Sequence, residues 1–173
     1  MSVRKIAYAA VVGAAYAALT ILVAPIAYGP IQFRISEALC ILPFFFPYTV
    51  WGLYSGCLLA NLLSAYGILD IIFGPIATLV AALLTMWFGM SRRRGSFSAK
   101  ALACLPPVIL NGIVVGAVIA SSSEPDAFLP AFLIIGLQVA FGELVVMYAV
   151  GLPLMLYLPR MRFFNALTAK YNQ

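Results

Sequence analysis

The stretch SEALCILPFFFPYTVWGLYSGCLLANLLSA, residues 36–65, decides the fold, because it reads either as one long helix kinked at Pro43 and Pro47 or as two passes, 36–47 and 48–65. A helix rises ~1.5 Å per residue and bilayer hydrocarbon is ~30 Å thick, so 36–47 crosses only if protein shields its ends. Charges outside the stretch choose between the two readings. Basic residues form three clusters: Arg4 with Lys5; Arg92, Arg93, Arg94 and Lys100; and Arg160, Arg162 and Lys170. Short loops rich in Lys and Arg stay in the cytoplasm, so an even number of crossings separates each cluster from the next. A single fused helix leaves three crossings between the first two clusters, and two passes leave four.

The expected chain is therefore all-α and polytopic, with six transmembrane helices over 3–24, 36–47, 48–65, 68–90, 99–120 and 130–158 and both termini cytoplasmic. Arg34, Asp70, Glu124 and Asp126 then lie at or near the outer face, while Tyr48, Trp51 and Trp87 fall near the inner interface that amphipathic rings prefer. The first segment has the basic start of a secretory signal. Its apolar run is about twice the usual ~7–15 residues, and it is expected to stay as a helix. No repeat or Pro- or Ser-rich linker divides the sequence, so one domain over residues 1–173 is expected. The loop 121–130 reads as a solvated polar turn.

Composition agrees with a membrane protein: 173 residues, 65% hydrophobic and 9% charged, with a mean hydropathy of +1.08. A soluble domain of this length needs far more polar surface. The net charge of +5 follows from topology, and the run RRRGS needs no nucleic acid to explain it. Cys40, Cys57 and Cys104 are scattered through apolar runs, which fits small core residues rather than disulfides or a metal cluster. Histidine is absent, which removes the commonest general base and metal ligand. No nucleophile motif, metal motif or P-loop occurs, so neither catalysis, a cofactor nor direct ATP hydrolysis is expected.

Polar groups inside apolar helices are the informative ones, because a carboxylate at a helix centre costs roughly 2.5–3.5 kcal/mol on insertion scales. Glu143, near the middle of the last helix, is such a group. Gln138 precedes it by five residues, about 140° around the axis at ~100° per residue, so the two flank a cavity rather than share a narrow face. Asn111 and Asn61 are candidates as well, although buried Asn also serves simply to hold helices together. Tyr66 and Asp70 belong to the outer connection after the third helix. Arg34 and Glu37 stand three apart at the entrance of the second helix, with Ser36 as an expected N-cap and Glu37 at the favoured positive end. They either pair with each other or line the outer lip of a site. In the first helix Ala10, Ala14 and Ala18 recur at four-residue spacing beside Ala7, Gly13 and Ala17. That spacing lets another helix approach closely, either within the bundle or from a partner protein.

IQFRISEALCILPFFFP, a third helix rich in small residues and the closing GELVVMYAVGLPL together resemble the QueT family, proposed queuosine-precursor uptake proteins among the substrate-binding S components of energy-coupling-factor (ECF) transporters. The resemblance spans nearly the whole chain. It implies a multi-pass protein of a prokaryotic cell membrane that captures a deazaguanine with an aminomethyl or nitrile substituent. It also implies a transmembrane coupling protein and two cytoplasmic ATPases as partners, with Ala10, Ala14 and Ala18 facing the coupling protein. Chemistry then suggests roles for residues. Glu143 can accept a ring N–H and an exocyclic amine together, and Asn111 and Gln138 can meet the rest of the edge. Phe33, Tyr66 or Tyr28 can stack on the ring, and Glu37 or Asp70 can receive an ammonium. Another vitamin-like cargo, or a standalone proton-coupled carrier using Glu143, remains open at this point.

Overall fold

The computed structural model describes residues 2–29, 31–91, 95–162, 164, 166 and 168. Arg92, Arg93, Arg94 and Lys170, which carry part of the charge argument, lie outside the described residues, as does Pro30. The chain folds into helices throughout: α1 (Val3–Leu22), a short turn α2 (Ala24–Ala27), a 3-10 helix (Ile35–Phe44), α3 (Thr49–Asn61) and α4 (Ile68–Met90). Two long rods follow. The first joins α5 (Phe97–Ala103), α6 (Leu105–Leu110), a π-helical turn (Asn111–Val115) and α7 (Gly116–Ser123). The second joins a 3-10 turn (Pro125–Ala127), α8 (Phe128–Val146), a π-helical turn (Met147–Gly151), α9 (Leu152–Tyr157) and a closing 3-10 turn (Leu158–Arg160). Four helical rods, Val3–Leu22, Ile68–Met90, Phe97–Ser123 and Pro125–Arg160, are long and apolar enough to cross a membrane.

Residues 36–65 form two helices rather than one. Pro43 and Pro47 withdraw backbone donors where the helix would continue, and the chain turns at Phe45–Tyr48. The 3-10 helix starts against α1, through Ser36 and Glu37 on Thr20 and Tyr16. It ends against α4, where Gly89 leaves room for the Phe44 carbonyl. α3 returns in the opposite direction, from Gly52 beside Ala9 to Asn61 beside Arg34. At ~2.0 Å per 3-10 residue and ~1.5 Å per α residue, both segments span about 20 Å. Each is shorter than a membrane-crossing rod and is flanked by α1 and α4.

The charges outside the buried interior divide, among the described residues, between two ends of the bundle. Arg4, Lys5, Lys100 and Arg160 gather at the end where the Phe44–Phe46 turn packs, with Tyr48, Trp51 and Trp87 at the same end. The turn is anchored by Phe164, whose ring lies 5.1 Å from Phe45 and 5.2 Å from Phe46. Glu124 and Asp126 lie at the opposite end, where the Ser122 hydroxyl reaches the Tyr66 carbonyl at 3.4 Å. Between the ends, the outward faces are apolar: Val11, Leu137, Ile134 and Phe141 are all exposed. Such a girdle is costly in water and natural against lipid.

Two seams of small residues close the bundle. Ala9 and Gly13 of α1 face Gly52 and Gly56 of α3 so tightly that a Cβ on Gly52 would overlap the Ala9 carbonyl, and one on Gly56 the Gly13 carbonyl. Gly112 and Gly116 meet α8 in the same way, and a Cβ on Gly116 would stand 2.6 Å from the Gly136 Cα. The small residues of α1 therefore split into two sets. Gly13 and Ala17 are buried inside the bundle, whereas Ala7, Ala10, Ala14 and Ala18 are exposed. Overpacking a close seam costs about 1–3 kcal/mol, occasionally more. Gly52→Val should lower the thermal unfolding midpoint in detergent clearly, whereas Ala14→Leu on the outward stripe should leave it within a degree or two. Equal midpoints for the two variants would contradict this packing.

Candidate functional site

The polar interior begins where the chain leaves α2 and enters the 3-10 helix. Gln32 takes a left-handed backbone conformation, φ +53°, and the Arg34 N–H folds back on the Gln32 carbonyl at 2.9 Å. This tight winding turns Arg34 inward. Three residues per 3-10 turn then place Glu37 and Cys40 on one face. The Cys40 thiol donates to Glu37 Oε2 at 3.0 Å, and the Tyr16 hydroxyl of α1 donates to Glu37 Oε1. One turn along α1, the Thr20 hydroxyl donates to the Tyr16 carbonyl at 2.9 Å. Its single proton is thereby engaged, so Ser36, 2.6 Å away, is the donor to Thr20.

Two expectations fail here for physical reasons. Ser36 is not an N-cap: the 3-10 helix begins with Arg34 in that position and without a side-chain cap, because Ser36 is turned toward Thr20. Arg34 and Glu37 form no ion pair with each other. The guanidinium Nη2 instead donates to Asn61 Oδ1 at 2.6 Å and approaches Cys57 Sγ at 3.8 Å, while its Cζ lies 5.8 Å from the Tyr28 ring centroid. Asn61 completes the link by donating to the Asp70 carbonyl at 2.9 Å, so its carboxamide joins loop, α3 and α4. Asp70 is not at an open outer mouth either. It sits in the first turn of α4 and is only 1% exposed.

Farther along, Asn111 opens one π-helical turn and Glu143 lies one helical turn before the other. Asn111 Nδ2 donates to Glu143 Oε1 at 2.8 Å. Widened π turns redirect side chains and recur at functional sites. Glu143 lies within electrostatic range of both Glu37 and Arg34, and Arg34 within range of Glu37 and Asp70. One guanidinium thus serves three carboxylates, all of them at most 2% exposed. Burying charge without full pairing is strongly unfavourable.

Four buried atoms in this cluster have no partner among the described residues: Arg34 Nε, Asp70 Oδ1, Asn111 Oδ1 and Glu143 Oε2. Buried polar atoms are nearly always hydrogen-bonded, so four orphans in one cluster are an exception that calls for an explanation. The other expected residues stand apart from these bonds. Gln138 and Phe33 are half-buried. Tyr66 is half-buried too, and its hydroxyl reaches the Tyr28 carbonyl at 3.4 Å, while Tyr28 donates to the Ala60 carbonyl at 2.6 Å. The Tyr28 face is occupied by Arg34 rather than open. Tyr16, Thr20, Cys40 and Cys57 join the cluster unexpectedly. A usable signal existed for Tyr16 and Thr20: they are polar residues on the face of α1 that carries Ala9 and Gly13.

The model of the family described as "QueT transporter" matches residues 6–160. The chain belongs to the QueT transporter family. A curated relative, the "Queuosine precursor transporter QueT" of Lactococcus lactis subsp. cremoris (strain MG1363), is 41% identical over 73 residues, covering 41% of this chain and 43% of the relative. The match thus spans less than half of that relative's length. No solved structure matches. The family is described as one of transporters, and the membrane-length apolar helices among the described residues suit a multi-pass membrane protein.

Within it, the Tyr16–Glu37 bond joins α1 to the 3-10 helix at the centre of the cluster. Removing one partner leaves a buried acceptor unsatisfied, at a cost of about 1–3 kcal/mol. Tyr16→Phe should therefore lower the unfolding midpoint, while Tyr16→Phe combined with Glu37→Gln should lose less than the two single variants together. Strict additivity in that double-mutant cycle would show that the two side chains do not interact.

Proposed function

We propose that this QueT family member is the substrate-binding S component of an ECF-type importer in a prokaryotic cell membrane, and that it captures a queuosine precursor in the buried polar cluster. One observation carries the reading: the orphaned atoms comprise one N–H donor, on Arg34, and three acceptors, on Asp70, Asn111 and Glu143. Their complement is a compact ligand rich in N–H donors. A deazaguanine has a ring N–H and an exocyclic amine side by side, which a carboxylate accepts together through charge-assisted bonds. Glu143 is the group proposed for that edge, with Asn111 beside it. The excess of carboxylates over guanidinium favours the aminomethyl over the nitrile form, with its ammonium directed to Asp70 or Glu37. Arg34 and Asn61 hold the frame of the site, and the residues around Tyr28 and Tyr66 cover it.

The chain contains no phosphate-binding loop, so accumulation driven by ATP requires partners that hydrolyse it. A transmembrane coupling protein and two cytoplasmic ATPases fill that role in this proposal. The outward stripe of Ala10, Ala14 and Ala18 is the surface offered to the coupling protein, because small residues at four-residue spacing permit close helix approach within lipid. Both termini then lie in the cytoplasm with the basic end of the bundle.

Binding and transport should separate cleanly. Glu143→Gln should weaken binding of 7-aminomethyl-7-deazaguanine by about tenfold or more, as expected when a charge-assisted bond is lost. Ala14→Leu should retain binding but abolish uptake in cells that supply the coupling proteins. Intact binding in Glu143→Gln would remove the site assignment. Accumulation by the chain alone in liposomes, driven only by a proton gradient, would replace the importer reading with a secondary carrier.

A further inference from the structure

Gln32 is 2% exposed, yet its carboxamide makes no hydrogen bond among the described residues; its contacts are backbone ones, its N–H to the Gly29 carbonyl and its carbonyl to the Arg34 N–H. It is also the one non-glycine residue with positive φ among those described. A long side chain in the left-handed region is unusual, and Asn, Asp or Gly would hold this conformation more easily. That conformational cost, removable by a single substitution and carried by a residue whose amide has no hydrogen bond among the described residues, points to a task the protein does not complete by itself.

The position of Gln32 indicates that task. A Cβ on Gly142 would overlap the Ile31 carbonyl and stand 2.9 Å from the Gln32 carbonyl oxygen. The loop is therefore seated in a notch on α8 immediately beside Glu143, whose Oε2 is one of the orphaned acceptors. The backbone that carries the Gln32 carboxamide thus lies against the helix turn that carries the unpartnered Glu143 carboxylate. Glu143 offers acceptors alone, whereas a carboxamide adds a neutral N–H donor.

We propose that Gln32 is a substrate-binding residue whose Nε2–H donates to the ligand's ring carbonyl while Glu143 accepts the adjacent N–H groups. The pair reads an acceptor–donor–donor edge, and this assignment rests on the function proposed above. A ligand that keeps the ring N–H but carries a weaker acceptor in place of the carbonyl oxygen pairs the Gln32 amide poorly and binds less well. Sites built to hydrogen-bond a substrate group discriminate strongly against analogues without that group.

The test compares 7-aminomethyl-7-deazaguanine with its six-thio analogue, which keeps the ring N–H but puts a much weaker acceptor in place of the carbonyl oxygen, by calorimetric titration of the full chain in detergent. Wild type should prefer the carbonyl-bearing ligand by about tenfold or more. Gln32→Gly, which removes the amide and suits the positive φ, should lose that preference and bind the carbonyl-bearing ligand about ten- to a hundredfold more weakly. Its ligand-free unfolding midpoint should stay level or rise. Gln32→Glu keeps the size but replaces the N–H donor with a charged acceptor, and should bind at least as weakly as Gln32→Gly. Retained affinity and preference in both variants, or an equal loss for both ligands, would overturn the role of Gln32 alone. Failure of wild type to bind either deazaguanine would overturn the function itself, and this assignment with it.

Discussion

Burial of the Arg34 guanidinium is the constraint on which the rest of the interior depends. A side chain that charged can sit at 2% exposure only where its donors are met and anions stand near. Asn61 supplies the first condition, at 2.6 Å, and it can do so only because its own amide is fixed by the Asp70 carbonyl. Glu37 and Asp70 supply the second from opposite sides, one on the 3-10 helix and one on α4. The end of α3, the start of α4 and the loop before the 3-10 helix are thus held to one another through a single cation. An arrangement that left every donor and acceptor matched would be a structural knot. Here Arg34 Nε and Asp70 Oδ1 remain unmatched among the described residues, so the constraint locks the frame and leaves part of its polar capacity unused, which is what the proposed ligand would take up.

The same logic explains why the segments nearest the cluster are the short ones. A helix that faces lipid along its length must satisfy its backbone internally and reach from one interface to the other. The 3-10 helix and α3 pack against α1 and α4 instead, and both are free of that length requirement. The 3-10 winding also aligns residues three apart, which brings Glu37 and Cys40 onto the face toward α1. An α-helix over the same residues would set side chains three apart about 60° from one another around the axis instead of in line. The close seams, Ala9 and Gly13 on Gly52 and Gly56, then bring α3 near enough for Asn61 to reach Arg34.

What could be read from sequence follows from how each signal arises. The division of residues 36–65 into two helices was legible because prolines remove donors and basic loops count crossings, and both are properties of residue identity. Glu143, Asn111, Arg34 and Asp70 were legible as candidates because charge and amide groups in apolar runs carry a cost that needs an explanation. The winding was not legible. Whether Ile35–Phe44 forms an α- or a 3-10 helix changes no residue's polarity, so Ser36 could be assigned a capping role that its direction toward Thr20 denies. Tyr16, Thr20 and Cys57 escaped notice because hydroxyls and thiols can satisfy themselves within a helix, as Thr20 does on the Tyr16 carbonyl. Only the fold reveals that they also reach across to another element. The alanine stripe illustrates a different limit: four-residue spacing announces close packing but not its direction. Gly13 and Ala17 turned inward while Ala10, Ala14 and Ala18 turned outward.

The closed state of the cluster bears on how a ligand could enter. Its members are nearly inaccessible, and at the acidic end three connections are tied by bonds at the long limit of the range. Tyr66 reaches Tyr28 at 3.4 Å, and Ser122 reaches Tyr66 at 3.4 Å. Bonds of that length contribute little, whereas the bonds beneath them, Arg34 to Asn61 and Tyr28 to the Ala60 carbonyl, are short at 2.6 Å. The mechanical order follows from that contrast. The ties between connections yield first, and the frame around Arg34 holds while they do. Access to the orphaned atoms then requires only local opening above the bundle, which costs far less than separating helices joined along glycine seams.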